Sequence, residues 1–477
     1  MLHKLKYINI IPSLFVSFAV IVISGCAAVG PNYVPPEKDV SENWNTELES
    51  GLIAEEIDPN TLAQWWTIIN DSKLTNLIER AKANNIDLKV AIERIKESRA
   101  RRAIAEASLY PNLNVSGSTT KSRTRDVPGT SSYYSANFDA GWEMDIFGGL
   151  GRSVEAANAD LQTSQENMYD TLVSLLAEVA LNYVEIRTYQ ARIDSVQSSI
   201  NLQNETYQLT LWRNEAQIID DLAVQQARYN LESSRSQIPS LRAALEQSMN
   251  SLAVLLGEEP GKLQEELHTV EPIPIAPENI AVGVPADIIR RRPDIRSAER
   301  ALAAQTARIG VATAKLYPGF TLNGSLGLDT ASLSHISSGS WTLSGGPRFS
   351  WPIFDAGAIK QNIKVQSALA EEYLLQYKSV VLSALKEVEN DLISYSQEQQ
   401  RRENLRAAVQ AAQTAAQLAR QEFEVGLTDF TTVLDTQRSL LSFQDQLAQS
   451  DGAVTSNVIR LYKALGGGWN SFASNEY

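Results

Sequence analysis

The 477-residue chain has a single cysteine, Cys26, and only three histidines, His3, His268 and His335. One thiol makes neither a disulfide framework nor a Cys-rich zinc site. Three scattered imidazoles, one of them in an N-terminal leader, leave a His-based catalytic triad without its base. No nucleophile motif accompanies them, which argues against an envelope hydrolase. Basic residues are in the minority: 42 Lys and Arg face 56 Asp and Glu, for a formal charge of −14. That balance lacks the basic face that binds phosphate backbones, so no nucleic-acid partner is expected. "GGLG" at Gly148 to Gly151 lacks the Gly-Lys-Ser/Thr ending of a phosphate loop and reads as a strand-to-helix bend. No Met-rich or His-rich tract marks a copper or silver site, and no metal or other cofactor is expected. After the leader no apolar stretch reaches 18 residues, so the expected mature chain crosses a membrane only if it forms a closed barrel.

What is present begins with an address. Lys4 and Lys6 precede an apolar run from about Tyr7 to Ile23, followed by the small residues Ser24 and Gly25. This is the layout of a signal peptide, residues 1–25. "ISGC" resembles a bacterial lipobox, which makes Cys26 the first mature residue, carrying diacylglycerol and an N-acyl chain. In such lipoproteins Ala27, rather than Asp, is the usual mark of sorting to the outer membrane.

The rest of the chain is written twice. "LYPNLNVSGS" at Leu109 to Ser118 returns as "LYPGFTLNGS" at Leu316 to Ser325, an offset of 207. Asp87 meets Asp294, Tyr110-Pro111 meets Tyr317-Pro318, and Phe147 meets Phe354 in the same register. Further on the offset reads as about 212, with Leu222 opposite Leu434 and Gln225 opposite Gln437. Internal duplication of this kind decides architecture before any motif does.

Each copy has the same order. A first helix, about Leu74 to Leu109 or about Pro293 to Leu316, is stopped by Pro111 or Pro318, because proline cannot continue the hydrogen-bond ladder. Two strands follow, about 112–146 and about 319–353, with period-two alternation such as Phe320, Leu322, Gly324, Leu326 and Leu328 against Thr321, Asn323 and Ser325. "DVPGTSS" and "HISSGS" mark the turns between them. Long helices come next, with steps of three or four through Leu161, Ser164, Met168, Leu172, Leu175, Val179, Tyr183, Ile186, Tyr189 and Ile193; about 60 residues give a rod of roughly 90 Å. Return helices run over about Ile218 to Leu256 and about Phe430 to Leu465. The expected division is 26–72, a first repeat 73–257, a linker 258–292, a second repeat 293–465 and a tail 466–477. Four strands with one apolar face cannot close on themselves, so closure needs several chains.

These residues resemble the TolC/NodT-type outer-membrane efflux lipoproteins. The matching pieces are "GCAAVGPNYVPP", "LAQWW", "RRPDIRSAER" with "ARIGVATAKLYPGFTLNGSLG", "WPIFDAG", "FEVGLTDFTTVLDTQRSLL" and "LYKALGGGW", spread over essentially the whole chain. The resemblance implies a mostly helical α+β chain that assembles as a homotrimer. Its four strands per chain would form a twelve-stranded outer-membrane β-barrel, continued by an α-helical periplasmic tunnel with an equatorial belt. It implies a passive exit duct, without catalysis, in a tripartite pump with a periplasmic adaptor (membrane fusion protein) and an inner-membrane RND-type transporter. Cargo could be drugs, solvents, metal cations or secreted peptides, and a non-conducting envelope coiled coil is the alternative from another class.

Functional residues carried over from the resemblance lie at the helix-to-helix turns. Gly426 marks one turn, where glycine tolerates the left-handed conformation of a helix end. Asn214 occupies the expected equivalent place in the first copy. Thr431 and Asp435, one helical turn apart on one face, would line the closed inner end as rings. A ring of Asp435 would favour cations, as carboxylate rings do in channels, whereas the alternative is an acid favoured by the helix dipole. Asp220 and Asp221 occupy the other turn, either as gate residues or as helix caps. Arg290, Arg291 and Arg292 precede Pro293 and read as structural; Glu143 and Asp145 read as a lumen wall.

Overall fold

The structure, a computed structural model, describes residues 28–37, 40–55, 58–123, 125, 129–275, 277, 279–332 and 340–469. The signal peptide, Cys26, the end of the tail, half of the first strand-to-strand turn and most of the second lie outside the described residues. In chain order the elements are β1 (Leu52–Ile53), α1 (Pro59–Ala63), a 3-10 turn (Trp65–Ile69), α2 (Ser72–Asn84) and α3 (Ile86–Ala107). Then come β2 (Asn112–Ser122), β3 (Ser131–Met144), α4 (Gly149–Glu215), α5 (Asp221–Leu255), α6 (Gln264–Leu267), β4 (Ile280–Ala281) and α7 (Pro285–Arg291). The second copy supplies α8 (Pro293–Ala314), β5 (Gly319–Thr330), β6 (Ser340–Ser350), α9 (Ala358–Glu424) and α10 (Phe430–Ala464). They divide between two compact units. One takes its described residues from the segments up to 37, 93–165 and 297–379; the other from 38–92, 166–296 and 380–477.

The first unit holds one antiparallel sheet in the order β2-β3-β5-β6. Register decides its chemistry, because directly opposed residues share a face. Val115 faces Phe138, Phe138 faces Leu326, and Leu326 faces Leu343. Ser116 faces Asn137, and Ser325 faces both Asp139 and Ser344. One face is therefore apolar across all four strands and the other polar. The apolar face is bare: Val115, Phe138, Leu343 and Trp341 are 69%, 51%, 74% and 69% exposed. Among the described residues no helix is long and apolar enough to cross a membrane; the exposed apolar face of this sheet is compatible with lipid.

Where strand turns into helix, a carboxylate takes over the orphan amides of the first turn. Asp145 accepts from the N–H groups of Leu150 (3.0 Å) and Gly151 (2.7 Å), and Asp355 from Gly357 (2.9 Å) and Ile359 (2.7 Å). The Ile359 and Gly357 amides hold the Asp355 carboxyl below its ordinary range. Asp145 is thus a helix cap beyond the end of β3, which corrects its assignment to the wall of the sheet.

The same junction clamps the start of the described chain. Val29 N–H donates to the Phe147 carbonyl (3.1 Å). Arg152, 5% exposed, donates to the Val29 carbonyl (3.3 Å) and to Asn32 Oδ1 (2.6 Å). Backbones touch here: a Cβ on Gly30 would lie 2.5 Å from Gly310 Cα, and one on Gly148 2.6 Å from Ala28 Cα.

α4 and α9 have 67 residues each, about 100 Å of uninterrupted helix at 1.5 Å per residue. In place of a single helix over 74–109, the chain breaks at Asn85. Its side chain accepts from Leu88 N–H (2.9 Å) to cap α3, and donates to the Leu255 carbonyl at the end of α5 (2.9 Å). A capping bond that also satisfies another helix end outweighs one turn of continuous helix.

The second unit is organised around "LAQWW" and a buried arginine. Trp65 stacks on Tyr462 (6.0 Å between centroids, 6° interplanar), and Leu74, Leu77 and Ile78 of α2 are fully buried. β1 and β4 form a two-residue parallel pair. Arg187 on α4 is 0% exposed and donates to Gln190 Oε1 (2.8 Å), the Thr269 carbonyl (2.9 Å) and Glu271 (2.6 Å). Tyr183 donates to Asp71 (2.8 Å), the cap of α2, and burial raises its phenol above the ordinary range, which keeps it a neutral donor. This cluster fastens the 258–292 linker to α4 and α2. The interior of the same unit also takes Arg292, which donates to Asp294 (2.8 Å), Glu387 (2.7 Å) and the Ala464 carbonyl (2.8 Å).

Removing Arg187 leaves the buried Gln190 Oε1 and the Thr269 carbonyl without their donor, while the partly exposed Glu271 keeps Lys73 (2.5 Å). Arg187→Met is therefore expected to cost about 2–3 kcal/mol, and Arg187→Lys to recover only part of that, because an ammonium lacks the guanidinium fork. Urea unfolding of the detergent-solubilised protein checks both. A loss below about 1 kcal/mol, the worth of an exposed pair, would refute the clamp.

Candidate functional site at the ends of the helical hairpins

α4 turns into α5 over 216–220, and α9 into α10 over 425–429; both turns belong to the second unit. They are built alike. Ile218 N–H donates to the Arg213 carbonyl (2.9 Å) and Gln217 N–H to Asn214 (2.8 Å); Leu427 N–H donates to Glu422 (2.8 Å) and Gly426 N–H to Phe423 (3.1 Å). These paired bonds define a Schellman end, whose residue after the cap is left-handed. Gly426 holds that position with φ 79° and Gln217 with φ 57°.

Asn214 does not hold it. It lies in the last turn of α4, where its amide donates to the Ile219 carbonyl (3.1 Å). The tip offset of 212 is the source of the error. The caps Asp220 and Asp429 are 209 apart, which puts Gln217 opposite Gly426 and Leu222 opposite Thr431. Asp220 is a cap, accepting from Ala223 N–H (3.1 Å), and Asp221 is the first, exposed residue of α5.

The two hairpin ends pack into one tip. Ala223, Ala227, Ala419, Phe423, Phe430, Val433 and Leu434 form a buried cluster. Arg213 ties the ends together: it donates to the Phe423 (3.0 Å) and Glu424 (2.8 Å) carbonyls and lies 4.5 Å over the Phe423 ring. Gln437, 2% exposed, donates to Thr206 (2.9 Å).

Thr431 and Asp435 are both exposed on the outside of this packing. Asp435 is the sixth residue of α10, beyond the first turn, so the helix dipole does not account for it. Its side chain is 75% exposed, 3.6 Å from the guanidinium of Arg438. Arg438 is itself engaged elsewhere, donating to Asn230 Oδ1 (2.7 Å) and covering the Tyr229 ring (5.2 Å). A long, exposed pair of this kind neutralises little charge.

One feature of the tip escaped the sequence. Trp212, Ile218, Leu222, Val425 and Leu427 are 64%, 69%, 62%, 70% and 78% exposed, an apolar rim beside both turns. The signal was available: a turn between helices is ordinarily polar, and "WRNEAQII" and "EVGL" are not.

A sheet with one lipid-compatible face, joined to paired helices of 67 and 35 residues, defines a subunit of an outer-membrane channel. The chain belongs to the outer membrane efflux protein family, whose model matches residues 77–258 and 284–467, once over each copy. It is 34% identical to nodulation protein T of Rhizobium leguminosarum bv. trifolii, over 96% of this chain and 97% of that one. It is 30% identical to the toluene efflux pump outer membrane protein TtgC of Pseudomonas putida, over 94% of each. Its fold is similar to the solved outer-membrane channel OprN, with a TM-score of 0.86 at 32% identity, covering 93% of this chain and all of that one. The protein is an outer-membrane efflux channel with the TolC-like, internally duplicated fold.

A left-handed Gln costs about 1 kcal/mol relative to Gly. Gln217→Gly is expected to stabilise the protein by about that much and Gly426→Gln to destabilise it equally. Thermal unfolding of the two variants checks this; equal small effects at both positions would contradict the assignment of Gln217 as the repeat-mate of Gly426.

Proposed function

We propose that three copies of this chain pool their sheets into one twelve-stranded barrel and act as the passive outer-membrane exit duct of a tripartite efflux pump, doing no chemistry. The observation that carries this is the open four-stranded sheet with one mainly apolar face and one mainly polar face. Lipid takes the first and an aqueous lumen the second. A non-conducting coiled coil has no use for such a sheet.

At the other end of the helices, three-fold repetition turns Asp435 into a ring of carboxylates, with Thr431 one turn away. Exposed and weakly paired, Asp435 is suited to favour cations at a constriction. Thr at the neighbouring position makes that level polar. The apolar rim of Trp212, Ile218, Leu222, Val425 and Leu427 is the surface we assign to the periplasmic adaptor, which links the duct to an inner-membrane RND-type transporter. A relative bears a name tied to toluene efflux, and we assign the choice of cargo to the upstream transporter. Cys26 carries the lipid. The clamp on Val29 to Asn32 supports this, since it holds the neighbouring residues at the strand-to-helix junction.

Planar-bilayer recording tests the duct. The protein is expected to give cation-favouring pores, and Asp435→Ala to raise conductance roughly twofold or more while weakening cation preference. An unchanged conductance and reversal potential would move the constriction elsewhere; no pores at all would end the duct reading. Cys26→Ser is expected to abolish labelling by radioactive palmitate yet leave the trimer intact on mild-detergent gels, and its loss there would contradict the separation of anchor from assembly.

A further inference from the structure

The order β2-β3-β5-β6 leaves two strands, β2 and β6, with an unpaired edge. Between them lies a seam that joins the two copies within the chain, β3 against β5. There Trp142 faces Leu322, Gly141 faces Asn323 and Ala140 faces Gly324. The duplication makes this internal seam a pattern for the outer edges.

The mapping from one copy to the other is set by the hairpins. Leu113 faces Ala140 in the first, and Phe320 faces Phe349 in the second. Residues of β2 therefore move onto β5 by 207 positions, and residues of β3 onto β6 by 209. An independent contact agrees. Trp142 Nε1 donates to the Leu109 carbonyl (2.8 Å), and Trp351 Nε1 donates to the Leu316 carbonyl (3.0 Å), the same bond displaced by those two offsets.

We infer that a second copy of this chain pairs its β2 with β6 in the register of the internal seam, so that Trp351 stands opposite Val115 of the next copy, Ser350 opposite its Ser116 and Phe349 opposite its Gly117. This rests on the multi-chain barrel proposed above and deepens it by naming the joint. The chemistry fits at every step. Trp351, the residue after β6, continues the alternation that puts Phe349 and Val115 on the apolar face, and Ser350 and Ser116 are both on the polar face. Sliding by one residue would drive Trp351 into a row of Asn and Ser side chains. Volume fits as well: Phe349 meets a glycine.

A second observation comes from outside the ladder. Within the chain, Phe147 stacks on Tyr317 at 4.6 Å and 19°. Their sequence repeat-mates are Phe354 and Tyr110, and these are 88% and 68% exposed. The internal stack has a vacant counterpart, one half at each outer edge of the unit. Closing the seam brings Phe354 onto Tyr110 of the next copy.

Cysteine pairs in the full chain test the register. Directly opposed residues of an antiparallel pair have Cα atoms about 4.5–5.5 Å apart, inside the roughly 4.4–6.8 Å span of a disulfide, whereas diagonal neighbours lie at about 7–8 Å. Ser116→Cys with Ser350→Cys, oxidised in outer membranes, is expected to give covalent dimers and trimers on non-reducing gels. The yield should be at least about tenfold above that of Ser116→Cys with Arg348→Cys, displaced by two residues. The parent chain, with Cys26 alone, should give none. Stronger linking of the displaced pair overturns the register while leaving the barrel standing. A native trimer that links through neither pair overturns the seam alone. Monomers on native gels with no linking overturn the seam and the barrel together.

Discussion

Hydrocarbon offers no partner to a backbone amide. An N–H or C=O left open in the bilayer costs several kcal/mol, so a sheet can enter lipid only when its edges are gone. Much of this chain answers that constraint. Four strands of 11, 14, 12 and 11 residues have the length to cross and the alternation to present lipid on one side and water on the other. They do not have the number to close. Duplication supplies a second hairpin in register with the first, and further copies finish what duplication began.

The helices follow from the same arrangement. Each hairpin feeds a 67-residue helix through a glycine-containing bend and a capping aspartate, so strand direction passes into helix direction without unsatisfied amides. At their far ends the helices return through matched Schellman turns, and the two hairpins share one apolar cluster. The tip is therefore a packed object with a defined outer surface. On that surface stand a carboxylate with little neutralisation and a rim of uncovered apolar side chains. The first suits an ion path and the second a protein partner.

Period and repetition made the fold class legible, because both are properties of residue order. Tyr-Pro at Tyr110 and Tyr317 marked the helix-to-strand change twice, and no single-copy chain offers that check. What depended on competition between bonds was not legible. Asn85 sits in a good helical pattern, and only the carbonyl of Leu255, 170 positions away, makes capping win there. Asn214 was the better candidate for a left-handed turn by propensity, yet the Schellman bonds set the position, and Gln217 accepts the strain. The pairing of β1 with β4 is two residues long and carries no period at all. Exposure of the tip rim was hidden for another reason: apolar letters look the same whether covered or bare. Thr431 and Asp435 were found through resemblance, and their shared exposure shows only in the fold.

The glycine-to-glycine contact at the strand-to-helix junction has a metric consequence. Ala28 presses on Gly148, and Gly30 on Gly310, so closely that neither backbone can be lifted by a side chain. Two peptide units of about 3.8 Å each separate Ala28 from the cysteine before it. Lipid on that cysteine, as proposed above, would be tied to the junction through no more than those two units.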